Sequence, residues 1–108
     1  MTVNTLKNLL QLTEVTLPNG GAEVEGVYIG DLLSWVMGRA EAGNAWITIM
    51  SNINVVAVAS LVDTSCIILA EGVTLQQNVI DAATAKNINI LSSDKTAYEI
   101  AVAISKAE

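Results

Sequence analysis

The stretch AWITIMSNINVVAVASLVDTSCIILAEG, residues 45–72, predicts a strand, a loop, a helix and a second strand. An apolar run near residues 45–50 is followed by polar residues, and an Ala/Val-rich run then extends to Leu61. After a break at residues 62–65, a second apolar strand is predicted near 66–70. Two strands joined through one helix form a parallel crossover, in which the helix packs over the sheet. The remainder of the chain is interpreted as extending or covering this unit.

The flanking segments add further elements to this unit. Apolar residues at helical spacing predict helices near residues 2–12, 32–39, 75–86 and 95–107, and a third strand near 88–91. The turn Pro18-Asn19-Gly20-Gly21 separates two short alternating segments, which predicts a small N-terminal hairpin near 14–28 or two short edge strands. We therefore predict one α/β domain over residues 1–108, with three layers and a mostly parallel sheet.

Two helices are preceded by residues typical of helix caps. Asp31 is well placed to cap the helix near 32–39, and residues 92–94, Ser-Ser-Asp, precede the last helix in the same way. Trp35 lies off the apolar stripe of its helix, so it either covers the hairpin or faces a partner subunit. The last helix is apolar on nearly every side, which predicts burial on the sheet and again at a homodimer interface.

Composition bounds the class of protein. The chain of 108 residues is long enough for a core without disulfides, and with 52% apolar but only 4% aromatic residues that core must be aliphatic. A formal net charge of −6 would be repelled by phosphate backbones, so we expect no nucleic-acid partner. The low charged fraction, 15%, favours some apolar surface covered by a partner subunit.

Missing residue types exclude most catalytic chemistry. The chain has no histidine and one cysteine, Cys66, which excludes Ser-His and Cys-His nucleophiles, an internal disulfide and a zinc site. Neither a phosphate-binding P-loop nor a dinucleotide-binding glycine motif is present. We therefore predict no enzyme activity, no cofactor and no metal site, with Cys66 as a small core residue.

The cellular location is predicted from the same residues. A single cysteine fits a reducing cytoplasm, and the N-terminal residues lack the pattern of a signal peptide. The apolar residues 53–70 are interrupted by polar ones, including Asp63, which argues against a membrane span. We expect a cytoplasmic protein with no membrane partner.

A ligand site is predicted at the carboxyl ends of the parallel strands, where open α/β sheets bind ligands. These ends carry small polar residues, and helix N-termini that follow them favour anions. Serine and asparagine are equally ordinary helix caps, and both interpretations stay open. The predicted ligand-binding residues are Ser51, Asn52, Asn54, Glu71, Gly72, Ser92, Ser93 and Asp94; no catalytic residue is predicted.

Two segments carry a resemblance to a known family: GVYIGDLLSWVMGRAEAGNAWITI at residues 26–49 and NVVAVASLVDTSCIILAEG at residues 54–72. They resemble the small bacterial DRTGG-domain proteins, which are similar to the N-terminal domain of HPr kinase/phosphorylase. The resemblance covers most of the chain. It implies an α/β fold that pairs domain to domain, and a non-catalytic region of the kind found beside nucleotide-binding CBS domains in a regulated pyrophosphatase and within some phosphotransacetylases. The kinase site of HPr kinase lies in a separate domain, so its activity is not implied.

The motif that names the family is changed in this chain. Its Asp-Arg would fall near Asn52-Ile53 and its Thr-Gly-Gly near Ala70-Glu71-Gly72, so only Gly72 is retained. If the arginine normally holds a phosphate, the chain lacks that contact, and Glu71 would oppose an anion further.

These observations lead to two predictions of function. The first is a non-catalytic regulatory or small-ligand-sensing module that acts as a homodimer and binds a nucleotide or another phosphorylated metabolite. The alternative is a purely structural dimerisation or interaction domain that docks on a metabolic enzyme.

Overall fold

The structure, a computed structural model, describes all residues from 1 to 108 as one five-stranded sheet with five helices. The elements are, in chain order, α1 (Val3–Leu10), β1 (Thr13–Thr16), β2 (Val27–Ile29), α2 (Leu33–Arg39), β3 (Ala45–Thr48), α3 (Asn54–Val62), β4 (Cys66–Leu69), α4 (Gln77–Ala85), β5 (Ile90–Ser92) and α5 (Ala97–Ala107).

The strand order in the sheet is β1-β5-β4-β3-β2. Strands β2 to β5 are parallel, and β1 joins β5 antiparallel at one edge. Each parallel connection passes through one helix, α2, α3 or α4 in turn, as parallel strands require. The predicted α/β fold with a mostly parallel sheet is confirmed, and the three central strands lie within two residues of their predicted positions.

Helices cover both faces of the sheet because successive strand residues point to opposite sides. Trp46 of β3 and Ile67 of β4 belong to the core under α2, α3 and α4. Ile47 and Cys66, the next residues in alternation, belong to the core under α1 and α5. All four are fully buried, which confirms the three layers and the placement of Cys66 in the core.

The predicted N-terminal hairpin is wrong, and its alternative of two short edge strands is correct. Strands β1 and β2 lie at opposite edges of the sheet, paired with β5 and β3. The chain after the Pro18–Gly21 turn pairs with the N-terminus instead: Val3 N donates to Ala22 O and Val24 N to Met1 O, each at 2.9 Å. Residues 18–21 do form a turn, but the backbone after it hydrogen-bonds to the N-terminal segment.

The last helix is buried on one side only, although its sequence predicts burial on nearly every side. Ile100 and Ile104 are buried against the sheet, whereas Tyr98 is 76% exposed and Val102 is half-buried. Trp35, for which two positions were open, does not cover a hairpin; it is half exposed on α2, and the Arg39 guanidinium carbon lies 3.7 Å from its ring centroid. No helix has the length and apolar character that crossing a membrane requires.

Candidate functional site at the carboxyl ends of the strands

The carboxyl ends of the three central strands lie side by side. Thr48 of β3 is in register with Leu69 of β4, and Leu69 with Ser92 of β5. Of the eight residues predicted to bind a ligand, Ser92 occupies one of these positions and the other seven follow one of them within six residues. The structure divides them into two groups.

The first group joins the loops after β4 and β5. Glu71 N donates to Lys95 O at 2.8 Å, Gly72 N donates to Ser93 O at 2.9 Å, and Ser93 N donates to Leu69 O at 2.9 Å. A side chain at Gly72 would place its Cβ 3.1 Å from Asp94 Oδ1, and Gly72 has a φ of 73° that favours glycine. These bonds make the two loops one connected junction, which we call the β4–β5 junction (residues 71–72 and 92–95).

The second group lies beside the first, around a cleft of about 350 Å³ that we call the α3–α4 cleft. Its lining is mostly uncharged and polar: Ser51, Asn52, Ile53, Thr74, Gln76, Asn78 and Val79. Asn52 Oδ1 accepts from Asn54 N at 2.8 Å, so one predicted residue shapes the start of α3. Asn54 itself is exposed and does not line the cleft.

The start of α4 provides hydrogen-bond donors at this cleft. Gln76 is the N-cap of α4 and its side chain makes no capping bond. The first N–H groups of a helix have no partner within the helix, and together they favour an anion. The hydroxyls and amides of Ser51, Thr74 and Asn78 are neutral donors of the kind that bind phosphate oxygens or sugar hydroxyls.

Asp31 has a role at the carboxyl ends of the strands that the sequence did not indicate. Its Oδ1 accepts from Thr48 Oγ1 at 2.8 Å and from Ile49 N at 3.0 Å. The predicted capping of α2 by Asp31 is therefore wrong: the N-cap is Leu32, with no side-chain bond. The carboxylate instead ties the end of β2 to the end of β3, a contact that links residues 17 positions apart and has no local signal.

The cap of α5 also differs from its prediction. Residues 92–94 do not cap the helix; Thr96 does, with its Oγ1 accepting from Glu99 N at 3.2 Å and the Glu99 carboxylate accepting from Thr96 N at 3.1 Å. The bonds from Thr96 lower the pKa of Glu99. Ser93 is instead held within its own loop, where its Oγ accepts from Lys95 N at 3.1 Å.

Ser93 and Lys95 of the β4–β5 junction open onto a second surface. They line a groove of about 480 Å³ between α1 and α5, which we call the α1–α5 groove. A third cleft, of about 450 Å³, lies at the amino ends of the strands, near the starts of β4 and β5, and is lined largely by polar residues. None of the predicted ligand-binding residues lines this third cleft.

The side chains at the carboxyl ends of the strands are mostly polar groups that can hydrogen-bond, and the one thiol lies elsewhere, at the start of β4. Burial raises the pKa of the Cys66 thiol to about 12, so the thiol stays protonated and enclosed at neutral pH. No group of three or more cysteine, aspartate or glutamate side chains is arranged to hold a metal ion. The polar groups present at the strand ends can position a ligand by hydrogen bonds.

Comparison with known proteins identifies the family. The model of the DRTGG domain matches residues 18–107. The chain belongs to the DRTGG domain family. The match covers every element from β2 to α5, including the α3–α4 cleft and the β4–β5 junction. No curated protein matches the chain.

A solved structure shares the fold of this DRTGG domain. It is the crystal structure of the CBS and DRTGG domains of the regulatory region of Clostridium perfringens pyrophosphatase, in complex with its activator, diadenosine tetraphosphate. The TM-score is 0.74 with 14% sequence identity, over 95% of this chain and 45% of that chain. At this identity the match shows a common fold, and the chain spans less than half of that regulatory region. The similarity to the N-terminal domain of HPr kinase/phosphorylase stays a prediction.

Proposed function

We propose that this DRTGG domain is a non-catalytic regulatory module of the cytoplasm that senses a nucleotide or another phosphorylated metabolite as a homodimer. The observation that carries the proposal is the α3–α4 cleft, where neutral hydrogen-bond donors and the uncapped start of α4 lie at the ends of parallel strands. The regulatory region of the clostridial pyrophosphatase, which contains a DRTGG domain, responds to a dinucleotide activator. The proposal extends that class of ligand to this chain.

The charges around the cleft bear on the kind of ligand. The lining of the α3–α4 cleft contains no charged side chain, so a phosphate would be held by amide and hydroxyl groups. The neighbouring junction carries two carboxylates, Glu71 and Asp94, against one cation, Lys95, and this balance disfavours a highly charged anion there. The site therefore fits a ligand with few phosphates and several hydroxyl or base groups better than a polyphosphate alone.

A thermal-shift titration tests the proposal. The purified domain is melted with adenine nucleotides, diadenosine tetraphosphate, acetyl phosphate and sugar phosphates. A compound at about 100 times its Kd adds roughly 2.7 kcal/mol to the free energy of unfolding, which raises the Tm by roughly 10 °C for a domain of this size.

A pair of charge variants places the site. In Asn78→Glu a carboxylate enters the lining of the cleft at a helix start, where acidic residues are tolerated, so the fold is kept while an anion is repelled. In Ala57→Glu the same charge is added at an exposed position of α3 outside the cleft. We expect the shift to be lost in Asn78→Glu and kept in Ala57→Glu. A domain that responds to none of the compounds contradicts the sensing function.

A second function, an interaction domain that docks on a metabolic enzyme, is favoured by a different observation. Four large apolar side chains are about half exposed around the end of β2, the start of α2 and the end of β3. They are Ile29, Leu32, Trp35 and Ile49, and we call this surface the β2–α2 face. Strand β2 is also an edge strand, paired only with β3. Exposed apolar surface of this kind is typical of protein interfaces.

A further inference from the structure

The α1–α5 groove combines an apolar floor with two lysines. Six of its ten lining residues are hydrophobic, and they come from the last turn of α1, the residues just after it, and one side of α5. Leu12 and Ile100 are buried at its base, whereas Leu9 at its rim is 60% exposed. The groove therefore presents apolar surface that the rest of the chain leaves uncovered.

Two of the five basic side chains of the chain lie at this groove. The chain has only five lysines and arginines against eleven acidic residues, yet both Lys95 and Lys106 line this one groove. The two ion pairs of the structure use the N-terminal ammonium and Lys7 as their cations, so neither groove lysine has a carboxylate within 4.0 Å. A chain of net charge −6 thus offers two free cations beside apolar surface.

The two lysines are placed at opposite ends of α5. Lys95 precedes the helix and Lys106 lies in its last turn. From Ala97 to Lys106 the helix rises about 14 Å, and Lys95 lies two residues before it, so an extended peptide of about five or six residues covers the distance. The spacing fits two acidic residues separated by four or so positions, with apolar side chains between them.

We propose that the α1–α5 groove binds an extended peptide segment of a partner protein, in which apolar residues lie between two acidic ones. The apolar side chains contact Leu9 and the half-buried Leu10 and Ala103, and the carboxylates pair with Lys95 and Lys106. This assignment rests on charge complementarity, since the acidic character of the rest of the chain repels the same peptide elsewhere. It is independent of ligand sensing at the α3–α4 cleft.

Selection from a random library of phage-displayed peptides at low salt tests this assignment. Enriched peptides are synthesised and their Kd is measured by fluorescence anisotropy against the whole domain. We expect enriched sequences with acidic residues flanking apolar ones, and binding that weakens as salt is raised, because the ion pairs are at the surface. A selection without enrichment, or enrichment of neutral or basic peptides, overturns the proposal.

Matched variants separate the groove from the general surface. Lys95→Glu and Lys106→Glu reverse charges in the groove, and we expect each to raise the Kd by about tenfold. Lys86→Glu makes the same change on an exposed lysine that lines the third cleft, at the amino ends of the strands. We expect the Kd to change by less than about twofold. Equal effects of all three variants would mean that only net charge matters, which contradicts the groove.

The apolar contribution has its own pair of variants. Leu9→Ser removes an exposed apolar side chain from the rim of the groove, and Leu61→Ser removes one that is 71% exposed on α3. We expect weaker peptide binding for the first alone. A groove that instead binds nucleotides would show a thermal shift with ATP that is lost in Lys95→Glu and kept in Asn78→Glu. That result overturns the peptide assignment and also moves the proposed sensing site away from the α3–α4 cleft.

Discussion

Asn89 holds two loops together at the amino ends of the strands, opposite the candidate site. The side chain is 2% exposed, accepts from Asn19 N at 2.9 Å, and donates to Asn19 O at 2.8 Å and to Ser65 O at 2.9 Å. Asn89→Ala removes the partner of Asn19 N and leaves the carbonyl oxygen of the buried Ser65 without one, whereas Asn19 O keeps its bond from Ala22 N. We expect the free energy of unfolding to fall by about 2–3 kcal/mol, measured by urea denaturation.

The control for this prediction is Asn8→Ala. Asn8 is exposed on α1 and its side chain makes no hydrogen bond in the structure, so its replacement should change stability by less than about 0.5 kcal/mol. Similar losses in the two variants would show that the buried amide network contributes little.

Cys66 predicts how stability changes in alkali. Burial raises its pKa in the folded domain to about 12, whereas the exposed thiol of the unfolded chain titrates near its ordinary value of 9.0. Between these values the unfolded chain releases a proton that the folded domain keeps, so stability falls as pH rises above about 9. At neutral pH both states are protonated and the thiol contributes no pH dependence.

The measurement compares Cys66→Ala with the unchanged chain at pH 7.5 and 10.5. We expect the unchanged chain to lose about 2 kcal/mol more than the variant across this interval, since each pH unit of differential titration corresponds to about 1.4 kcal/mol. Any loss of packing in the variant is the same at both pH values and cancels. Parallel losses in the two proteins would place the thiol in contact with water.

At the scale of the element, the start of α5 separates two capping schemes. Thr96 closes a reciprocal pair of bonds with Glu99, whereas Asp94 is exposed and makes no side-chain hydrogen bond. We expect Thr96→Ala to lower the free energy of unfolding by about 1 kcal/mol and Asp94→Ala by less than about 0.5 kcal/mol. Urea denaturation of both variants measures these losses. A larger loss in Asp94→Ala than in Thr96→Ala would favour the cap predicted from the sequence.

The elements that the sequence predicted well are those whose pattern is local. The apolar runs at β3 and β4 and the helix between them stand where the residues place them, because burial on both faces of a parallel sheet demands such runs. The predicted hairpin does not form because its two segments pair with other strands, β1 with β5 and β2 with β3. Pairing of edge strands depends on distant backbone groups, which no local pattern encodes.

At the scale of the whole molecule, the candidate site was predictable only in its location. The topology of a parallel sheet brings residues 51–52, 71–72 and 92–94 to one edge, so strand order alone is enough to group them. Their division between the α3–α4 cleft and the β4–β5 junction depends on loop bonds such as Glu71 N to Lys95 O. The α1–α5 groove arises from two helices that are far apart in sequence, which is why the residues did not indicate it.

The homodimer, which stays a prediction, is best tested at the β2–α2 face. The α5 helix was expected to provide the interface, but Ile100 and Ile104 are buried within the domain, which leaves Tyr98 as its one large exposed hydrophobic side chain. The β2–α2 face keeps Leu32 and Trp35 more than half exposed, beside an edge strand. A second copy that covers this face removes apolar surface from water, which is the main driving force of association.

Light scattering of the unchanged chain should therefore give twice the chain mass of 11.3 kDa. Trp35→Asp should give the monomer mass with an unchanged circular dichroism spectrum, because the new carboxylate on an exposed helix position can pair with Arg39 four residues later. Leu61→Asp places the same charge at a side chain that is 71% exposed on α3, and the dimer should persist. If Trp35→Asp stays dimeric while Val102→Asp on α5 becomes monomeric, the interface belongs to α5 and the β2–α2 face is left for another partner.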